Sequence, residues 1–384
     1  MDLNLELFKG ETALTEEKQT STGRRNFIKG AAVLGAASLA ADREAEAAPS
    51  YGKKLKIGAI GNGEYSFMTY CWSDIIEPDK EPNGKRGTLR TPFLNMDITH
   101  VWDVNPEAAQ KFAARMDATA VKNYDDMVGK VDGIIFGGYY EVPWQHRIAR
   151  PYIEAGIPVY LSRPFAFRLR DIDEVLELAA KHNTPILATA KHEHYNEAPA
   201  LKAKLKNIGT IQSVQATCWT RDYSIHFHTK FMLLKIFGYD IDSVSVITDK
   251  DIGNKYLQDT TLYKGWDGQP PFLCSLHGVT NKDSLSVTIY GSENTISACM
   301  LRSPDWQDSL LFRYAPQIIE MQRTFEGNLY EPLDNIRKKT QVFLAGYYSF
   351  IERGGAPVSL DEVPLDWSAP HPKPNWVDES IFKD

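Results

Sequence analysis

The sequence predicts an α/β fold in two parts: a doubly wound parallel sheet, followed by an α+β region with an open, mostly antiparallel sheet. The chain has 384 residues, of which 43% are hydrophobic, and this length suits two domains with separate cores. Short apolar runs alternate with helical segments between residues 53 and 190, a pattern typical of parallel sheets. From residue 191 onward, longer stretches alternate hydrophobic and polar residues, which is typical of antiparallel strands.

Composition excludes several classes of protein. The chain carries 43 Lys and Arg residues against 50 Asp and Glu residues, a net charge of −7, and it has no basic block. Nucleic acid is therefore not expected as a partner, because phosphate binding needs clustered cations. No apolar run reaches the roughly 18 residues that span a bilayer, so no stable membrane anchor is expected. The four cysteines form no C-x-x-C pair, which argues against a zinc knuckle or a disulfide framework.

Residues 1–48 have the order of an export signal. A polar segment ends in Arg24-Arg25, an apolar stretch covers residues 31–41, and small residues surround Ala47. The paired arginines, with an aromatic and an aliphatic residue soon after them, are similar to a twin-arginine (Tat) signal. An amphipathic or core helix with a chance arginine pair is the alternative. We expect the Tat translocase to export the folded protein to a periplasmic compartment.

The segment predicted as the first domain, residues 53–190, opens with a dinucleotide-binding pattern. An apolar run over residues 55–60 leads directly into a G-x-G-x-x-S turn. In a Rossmann fold the first glycine permits the tight turn, the second lets the backbone approach a pyrophosphate, and the third position needs a small side chain. The turn consists of Gly61, Asn62, Gly63, Glu64, Tyr65 and Ser66.

A second predicted strand, residues 98–103, ends in Asp103. A carboxylate at this position accepts hydrogen bonds from both ribose hydroxyls and repels a 2′-phosphate, so it favours NAD over NADP as the cofactor. Asp103 follows Gly61 by 42 residues, whereas about 20 is usual. The excess lies in residues 72–94, which we interpret as an inserted surface loop, with a cap over the cofactor or substrate as the alternative.

Alternation continues to the end of this segment. The predicted strands are residues 131–138, 157–161 and 184–190, and the predicted helices are residues 144–156 and 171–182. Strands that alternate with helices require a parallel sheet with right-handed crossovers.

These residues resemble the glucose–fructose oxidoreductase and inositol dehydrogenase (Gfo/Idh/MocA) family. The resemblance rests on residues 56–66, 101–107 and 131–164, and on the strand turn at 290–296. It implies that residues 191–365 form a domain whose open sheet face provides the substrate pocket and often an oligomer interface. We therefore expect a homo-oligomer. Residues 366–384, rich in proline and tryptophan, are predicted to form an extended arm on the surface.

The resemblance also implies site residues. The family has a Glu-Lys-Pro whose lysine orients substrate, where this chain has Ser162-Arg163-Pro164. The family's proton-transferring histidine corresponds to His228, and its aspartate partner is replaced by Ser224. Cofactor contacts beyond the glycine-rich turn and Asp103 are predicted at Gly137, Gly138, Tyr139, His146, Ser162, Arg163 and Pro164. Substrate contacts are predicted at His194, Asp222, Tyr223 and His226.

The replacements restrict the chemistry. Arg163 stays protonated, so it can bind an oxyanion or a hydroxyl but cannot accept a proton. His228 can accept the proton of a hydroxyl as hydride leaves the same carbon. A hydrogen-bonded structural histidine is the alternative for His228.

Two His-x-His pairs provide a competing pattern: His192 with His194, and His226 with His228. On extended chain, each pair would place both imidazoles on one face, a geometry that metals exploit. Polar pocket lining explains the histidines equally well, and no metal is predicted.

Together these features predict an exported NAD-dependent oxidoreductase that acts on a sugar, polyol or glycoside. Because no free nicotinamide pool is expected after export, the cofactor should stay bound and recycle in place. Two alternatives remain. One is NAD-assisted glycoside cleavage, in which transient oxidation to a ketone permits elimination. The other is a sugar-binding relative that has lost the chemistry.

Overall fold

A computed structural model of the chain describes residues 54–63, 66–77, 94–248, 256–279, 285–300, 306–371 and 377–382. Several predictions lie outside these residues: the export signal, Glu64 and Tyr65 of the glycine-rich turn, residues 78–93 of the insertion, and part of the C-terminal arm.

The first sheet contains six parallel strands in the order β3-β2-β1-β4-β5-β6, the strand order of a dinucleotide-binding Rossmann fold. Its strands are β1 (Leu55–Ile60), β2 (Met96–Trp102), β3 (Thr119–Ala120), β4 (Gly133–Phe136), β5 (Val159–Tyr160) and β6 (Ile186–Leu187). In this order the carboxyl ends of the strands form one edge, with the topological switch between β1 and β4.

The helices of this region begin and end where the local chemistry requires. Asn105 caps the helix that begins at Pro106, since its side chain accepts a hydrogen bond from the Glu107 N–H at 3.0 Å. Asn183 ends α4 in the left-handed conformation, at φ +51°. The helices are α1 (Ser73–Ile76), α2 (Pro106–Met116), α3 (Gln145–Glu154) and α4 (Leu169–His182), and a π-helical turn (Met68–Trp72) precedes α1.

The second sheet is mixed and mostly antiparallel, as predicted. Its seven strands follow the order β12-β11-β7-β10-β9-β8-β13, and only β7 and β10 pair in parallel. They are β7 (Ile211–Cys218), β8 (Ile241–Thr248), β9 (Leu257–Tyr263), β10 (Phe272–Gly278), β11 (Ser286–Gly291), β12 (Thr295–Cys299) and β13 (Val358–Ser359). The predicted fold class is therefore confirmed.

Later helices connect the two sheets. They are α5 (Glu197–Lys204), α6 (Tyr223–Phe237), α7 (Trp306–Phe325) and α8 (Leu333–Glu352). Helix α6 covers the inner face of the second sheet, whereas Tyr314, Ile318 and Met321 of α7 join the apolar core on one face of the first sheet. Residues from Leu55 onward thus form one compact unit. The predicted domain boundary near residue 190 stays a prediction.

Described parts of the C-terminal arm pack on this unit. The Phe382 ring stacks on Trp144 at 5.0 Å, and Trp367 donates a hydrogen bond to Glu352 at 2.9 Å. No helix within the described ranges is long and apolar enough to cross a bilayer.

Candidate active site

The glycine-rich turn after β1 is closed on one side and open on the other. Gly61 has φ +75°, and a Cβ there would lie 2.7 Å from the Gly138 Cα, so no side chain fits. A Cβ on Gly63 would instead have only ordinary contacts, 3.7 Å from Asp103 and 3.9 Å from Ala108. The space beside the Gly63 backbone is therefore open, and a pyrophosphate could approach this backbone closely.

Asp103 follows β2 directly and lies beside this opening. Its carboxylate is buried and accepts hydrogen bonds from the N–H groups of Asn62 and Asn105. Burial raises the pKa of Asp103, although both hydrogen bonds oppose this shift. A carboxylate at the tip of β2, next to an open glycine backbone, is placed as the ribose hydroxyls of a dinucleotide require. The residues present therefore fit NAD.

Sequence reasoning missed a second carboxyl at the turn. Glu141 is buried, and its Oε2 atom fills the space where Gly61 and Gly138 lack side chains. Burial, and then the negative charge of Asp103, raise the pKa of Glu141 well above its usual value. This shift favours the protonated form, which can donate a hydrogen bond at the turn. No sequence motif marks such a residue, because its role depends on packing between distant loops.

The loop after β5 carries Ser162-Arg163-Pro164, with a cis peptide bond before the proline. Gln145, the first residue of α3, holds this loop in place. Its side-chain oxygen accepts the Ser162 N–H at 2.8 Å, and its amide donates to the carbonyls of Ser162 at 3.1 Å and Phe165 at 3.0 Å. Gln145 is thus a positioning residue that the sequence analysis did not identify.

Arg163 is only 6% exposed and points toward aromatic rings. Its guanidinium carbon lies 3.8 Å from the centre of the Phe67 ring and 5.7 Å from that of Trp72. Its one hydrogen bond within the described residues goes to the Ser162 hydroxyl, at 3.3 Å. Burial lowers the pKa of Arg163, and the groups that oppose this shift are tyrosines and a cysteine rather than carboxylates.

His228 lies on α6, 4% exposed, and within the described residues it has no hydrogen-bond partner. Its ring centre is 5.3 Å from that of His192, whose Nδ1 pairs with the Thr229 hydroxyl at 3.1 Å. Burial, followed by the positive charges of Arg163 and Lys191, holds the pKa of His228 well below its usual value. The imidazole is therefore neutral and able to accept a proton.

Tyr139 lies on the loop after β4, near Arg163. Asp222, Ser224 and Arg163 are all close enough to its hydroxyl to influence its pKa. Burial is the main cause that raises this pKa, so the phenol stays protonated. Asp222 caps α6, accepting the Ser224 N–H at 2.8 Å. Tyr139, Arg163, Asp222 and His228 therefore lie around one region beside the glycine-rich turn.

Residues 56–192 match the family described as an oxidoreductase family with an NAD-binding Rossmann fold, Gfo/Idh/MocA. The matched segment contains the open glycine backbone, Asp103 and the Arg163 loop. The protein is an NAD(P)-dependent oxidoreductase. The prediction of NAD as its cofactor is confirmed by this match, in agreement with Asp103. No curated protein matches the sequence significantly.

Solved structures share the enzyme's fold at low sequence identity. The scyllo-inositol dehydrogenase of Lactobacillus casei has a TM-score of 0.62 at 12% identity, covering 81% of this chain and 100% of that one. The WlbA dehydrogenase of Bordetella pertussis has a TM-score of 0.60 at 17% identity, covering 83% and 100%. A probable dehydrogenase of Thermotoga maritima has 0.61 at 17% identity, covering 81% and 100%. At these identities the likeness establishes the fold alone.

The alternative of extended chain at the histidine pairs is wrong. His226 and His228 both lie on α6, where residues two apart point to different sides. His192 and His194 lie in a short 3-10 helix (Lys191–His194). Neither pair presents two imidazoles on one face, and the described residues contain no group of three His, Cys, Asp or Glu side chains arranged for a metal.

Several predicted contact residues lie elsewhere in the enzyme. Tyr223 is in the core, where its hydroxyl donates to the Phe343 carbonyl at 3.1 Å. His226 is fully buried, 3.6 Å from an oxygen of Asp259. These placements follow from α6, which covers the inner face of the second sheet. Among the residues near Arg163, His228 lies on this helix and Asp222 caps it, whereas Tyr139 lies on the loop after β4.

Two further predicted residues contact other helices. His194 is buried between the Thr189 hydroxyl, at 3.0 Å, and Glu320 of α7, at 3.5 Å. His146, predicted to contact the cofactor, faces Asp171 of α4 at 3.9 Å. Gly137 lies under the turn, where a Cβ would overlap Met68. The short side chain therefore serves the packing of the π-helical turn against β4.

Proposed function

We propose that this oxidoreductase oxidises a secondary hydroxyl of a sugar or polyol, with Arg163 binding the substrate and His228 accepting the hydroxyl proton. The observation that carries the proposal is the position of an unpartnered, neutral His228 close to Arg163, at the strand ends that also hold the glycine-rich turn. Among the fold neighbours, one structure contains scyllo-inositol and another contains UDP-GlcNAcA, each together with NAD(H) or NADH.

The chain's own residues divide the work. Arg163 would donate hydrogen bonds to a substrate oxygen and stabilise the negative charge that develops there. His228 would take the proton from the reacting hydroxyl. NAD, when bound, supplies the acceptor for the hydride that leaves the same carbon, which balances the oxidation. Gln145 keeps the Arg163 loop in register, and Tyr139 borders the same region.

We further propose that the cofactor stays bound through the catalytic cycle and that the protein is exported. The order of residues 1–48, with Arg24-Arg25 before the apolar stretch, supports export. Mass spectrometry of the denatured, freshly purified protein tests retention, and it should release one NAD per chain. Protein that releases no nucleotide would contradict the bound-cofactor proposal.

Export has its own test. Residues 1–48 fused to a reporter that must fold before translocation should deliver it to the periplasm, and Arg24→Lys combined with Arg25→Lys should retain it in the cytoplasm. Delivery that does not depend on these arginines would contradict a twin-arginine route. Cleavage of a nitrophenyl glycoside without added NAD would instead favour the oxidation–elimination reaction.

A further inference from the structure

Within the part of the chain that the structure describes, no side chain balances the charge of Arg163. A guanidinium has five N–H donors, and burial without compensation is costly for a charged group. Within the described residues, Arg163 makes one hydrogen bond, to the neutral Ser162 hydroxyl, and no carboxylate lies within ion-pair distance of it. Aromatic faces contribute only part of what water would provide.

Two other buried cations among the described residues have carboxylate partners. Lys339 contacts the carboxylates of Glu193 and Glu331, and Lys230 donates to both oxygens of Asp259 at 2.8 Å. Arg163 is buried to a comparable degree. Of these three buried cations, Arg163 is the one without a carboxylate partner among the described residues.

A second positive charge lies on the same side. The Lys191 ammonium is 5.6 Å from the centre of the Tyr314 ring, and Tyr314 lies 5.5 Å from Phe67, the ring that carries Arg163. Arg163 and Lys191 are both close enough to His228 for their positive charges to lower its pKa. The carboxylate of Asp222 accepts the Ser224 N–H at the start of α6.

We propose that the substrate is an acidic sugar, whose oxyanion group binds Arg163 with Lys191 as a second positive charge, while the reacting hydroxyl faces His228. This inference rests on the proposed function and specifies its substrate class. A planar guanidinium matches a carboxylate or phosphate with two parallel hydrogen bonds, which a neutral hydroxyl cannot provide. A sugar carboxylate and a sugar phosphate share this chemistry, and the experiment separates them.

The activity test compares glucose, glucuronate and glucose 6-phosphate as substrates of the cofactor-loaded, full-length protein. An acidic sugar should be preferred in kcat/KM by at least about 30-fold, since an ion pair in a buried site is disrupted when one partner is missing. Whichever acidic sugar is preferred identifies the oxyanion. Equal efficiency with glucose would overturn the proposal.

Variants locate the preference. Arg163→Met should abolish the discrimination, chiefly through KM, and Arg163→Lys should keep most of it because the charge remains. Arg337→Met is the matched control, since Arg337 already pairs with Asp173 at 2.7 Å, and it should discriminate like the natural protein. Discrimination that survives in Arg163→Met would contradict the assignment to Arg163.

A binding measurement separates this inference from the proposed reaction. Glucuronate or glucose 6-phosphate should raise the thermal unfolding temperature of the protein more than glucose does, and Arg163→Met should remove this difference. If stabilisation by an acidic sugar is seen but no sugar is oxidised, the proposed reaction fails and the anion site stands. If neutral and acidic sugars stabilise alike, the anion site fails whatever the activity.

Discussion

Two buried cations in this protein, Lys339 and Arg163, have opposite surroundings. Lys339 on α8 is 2.8 Å from Glu193, also contacts Glu331, and donates to the Ala188 carbonyl at 2.9 Å. Burial alone would lower the pKa of Lys339, but the two acids raise it above its usual value. Arg163 has only a hydroxyl and aromatic rings. The Lys339 group thus has carboxylate partners within the chain, whereas Arg163 has none among the described residues.

The comparison separates a structural charge from a functional one. Glu193 also accepts the Ala190 N–H at 2.7 Å, so the Lys339 group ties the chain after β6 to α8 and thereby joins the two sheets. Removing Lys339 would leave two acids buried without a counter-charge. Removing Arg163 would leave no unpaired carboxylate, because none faces it. Stability and activity should therefore respond in opposite ways to the two changes.

The largest effect on turnover is expected from His228→Gln. Loss of the proton acceptor should lower kcat by about 10²–10⁴ while NAD stays bound. Steady-state kinetics with the best sugar, and nucleotide content by mass spectrometry, measure the two quantities. His182→Gln, at the end of α4, is the control and should behave like the natural protein. Undiminished kcat in His228→Gln would assign the proton transfer to another group.

The largest loss of stability is expected from Lys339→Met. Breaking a buried ion group by removing one partner costs about 3–5 kcal/mol in the free energy of unfolding. Urea denaturation followed by circular dichroism measures it. Lys338→Met provides the matched control, since Lys338 is exposed and pairs with Asp334 at 3.1 Å, and it should change stability by about 0.5 kcal/mol or less. A loss as small as the control's would mean that the ion group is not structural.

Arg163→Met should reverse this pattern. The value of kcat/KM for the acidic sugar is expected to fall by about 10²–10³, chiefly through KM, because the cation that binds the oxyanion group of the substrate is lost. The free energy of unfolding should stay the same or rise, since a buried charge without a partner is replaced by an apolar side chain. Arg163→Lys should retain substantial activity, as it restores the residue that the family pattern has. Strong destabilisation by Arg163→Met would show that the arginine is compensated within the chain.

The smallest effect is expected on the free energy of unfolding as the pH is lowered. Burial lowers the pKa of His226 well below its usual value, so the folded protein binds fewer protons than the unfolded chain. Stability should be complete above about pH 6.5 and fall as the pH drops, by up to about 1.4 kcal/mol per unit for one proton. Burial would raise the pKa of Glu320, but His194 and, to a lesser degree, Lys235 and Lys339 lower it to about 2. The stability that Glu320 contributes is therefore lost only at a lower pH.

Urea titrations between pH 7 and 5 measure this slope, and His226→Gln should reduce it. An unchanged slope in the variant would mean that His226 does not titrate across this range. His228 has a lowered pKa of the same origin and should contribute in the same direction.

The predictions of the fold class and of the dinucleotide site rest on local sequence patterns. The run before Gly61 and the carboxylate after β2 lie within single strand–turn units, so spacing alone indicated a dinucleotide site. Helix α6 was missed because nearly all its residues are buried and it has no polar face to show a helical period. The pattern of His226 and His228 therefore fits extended chain as readily as a helix, and only on extended chain would both imidazoles lie on one face.

Contacts between distant loops could not be predicted in the same way. Glu141 fills the space beside Gly61, and Gln145 holds the Arg163 loop, yet both are ordinary residues of a turn and a helix start in the sequence. The absence of an acid near Arg163 is likewise a property of the packed structure. The sequence could indicate only that arginine replaces lysine.

We propose that Arg163 and His228 form the site at which a sugar is oxidised by bound NAD. The most direct test adds an acidic sugar to the cofactor-loaded protein and records the near-ultraviolet absorbance of reduced nicotinamide in a single turnover. We expect the absorbance to rise with the natural protein, to rise much more slowly with His228→Gln and Arg163→Met, and to be unaffected in Arg337→Met. An equally fast rise in His228→Gln and Arg163→Met, or no rise with any sugar although NAD is present, would contradict it.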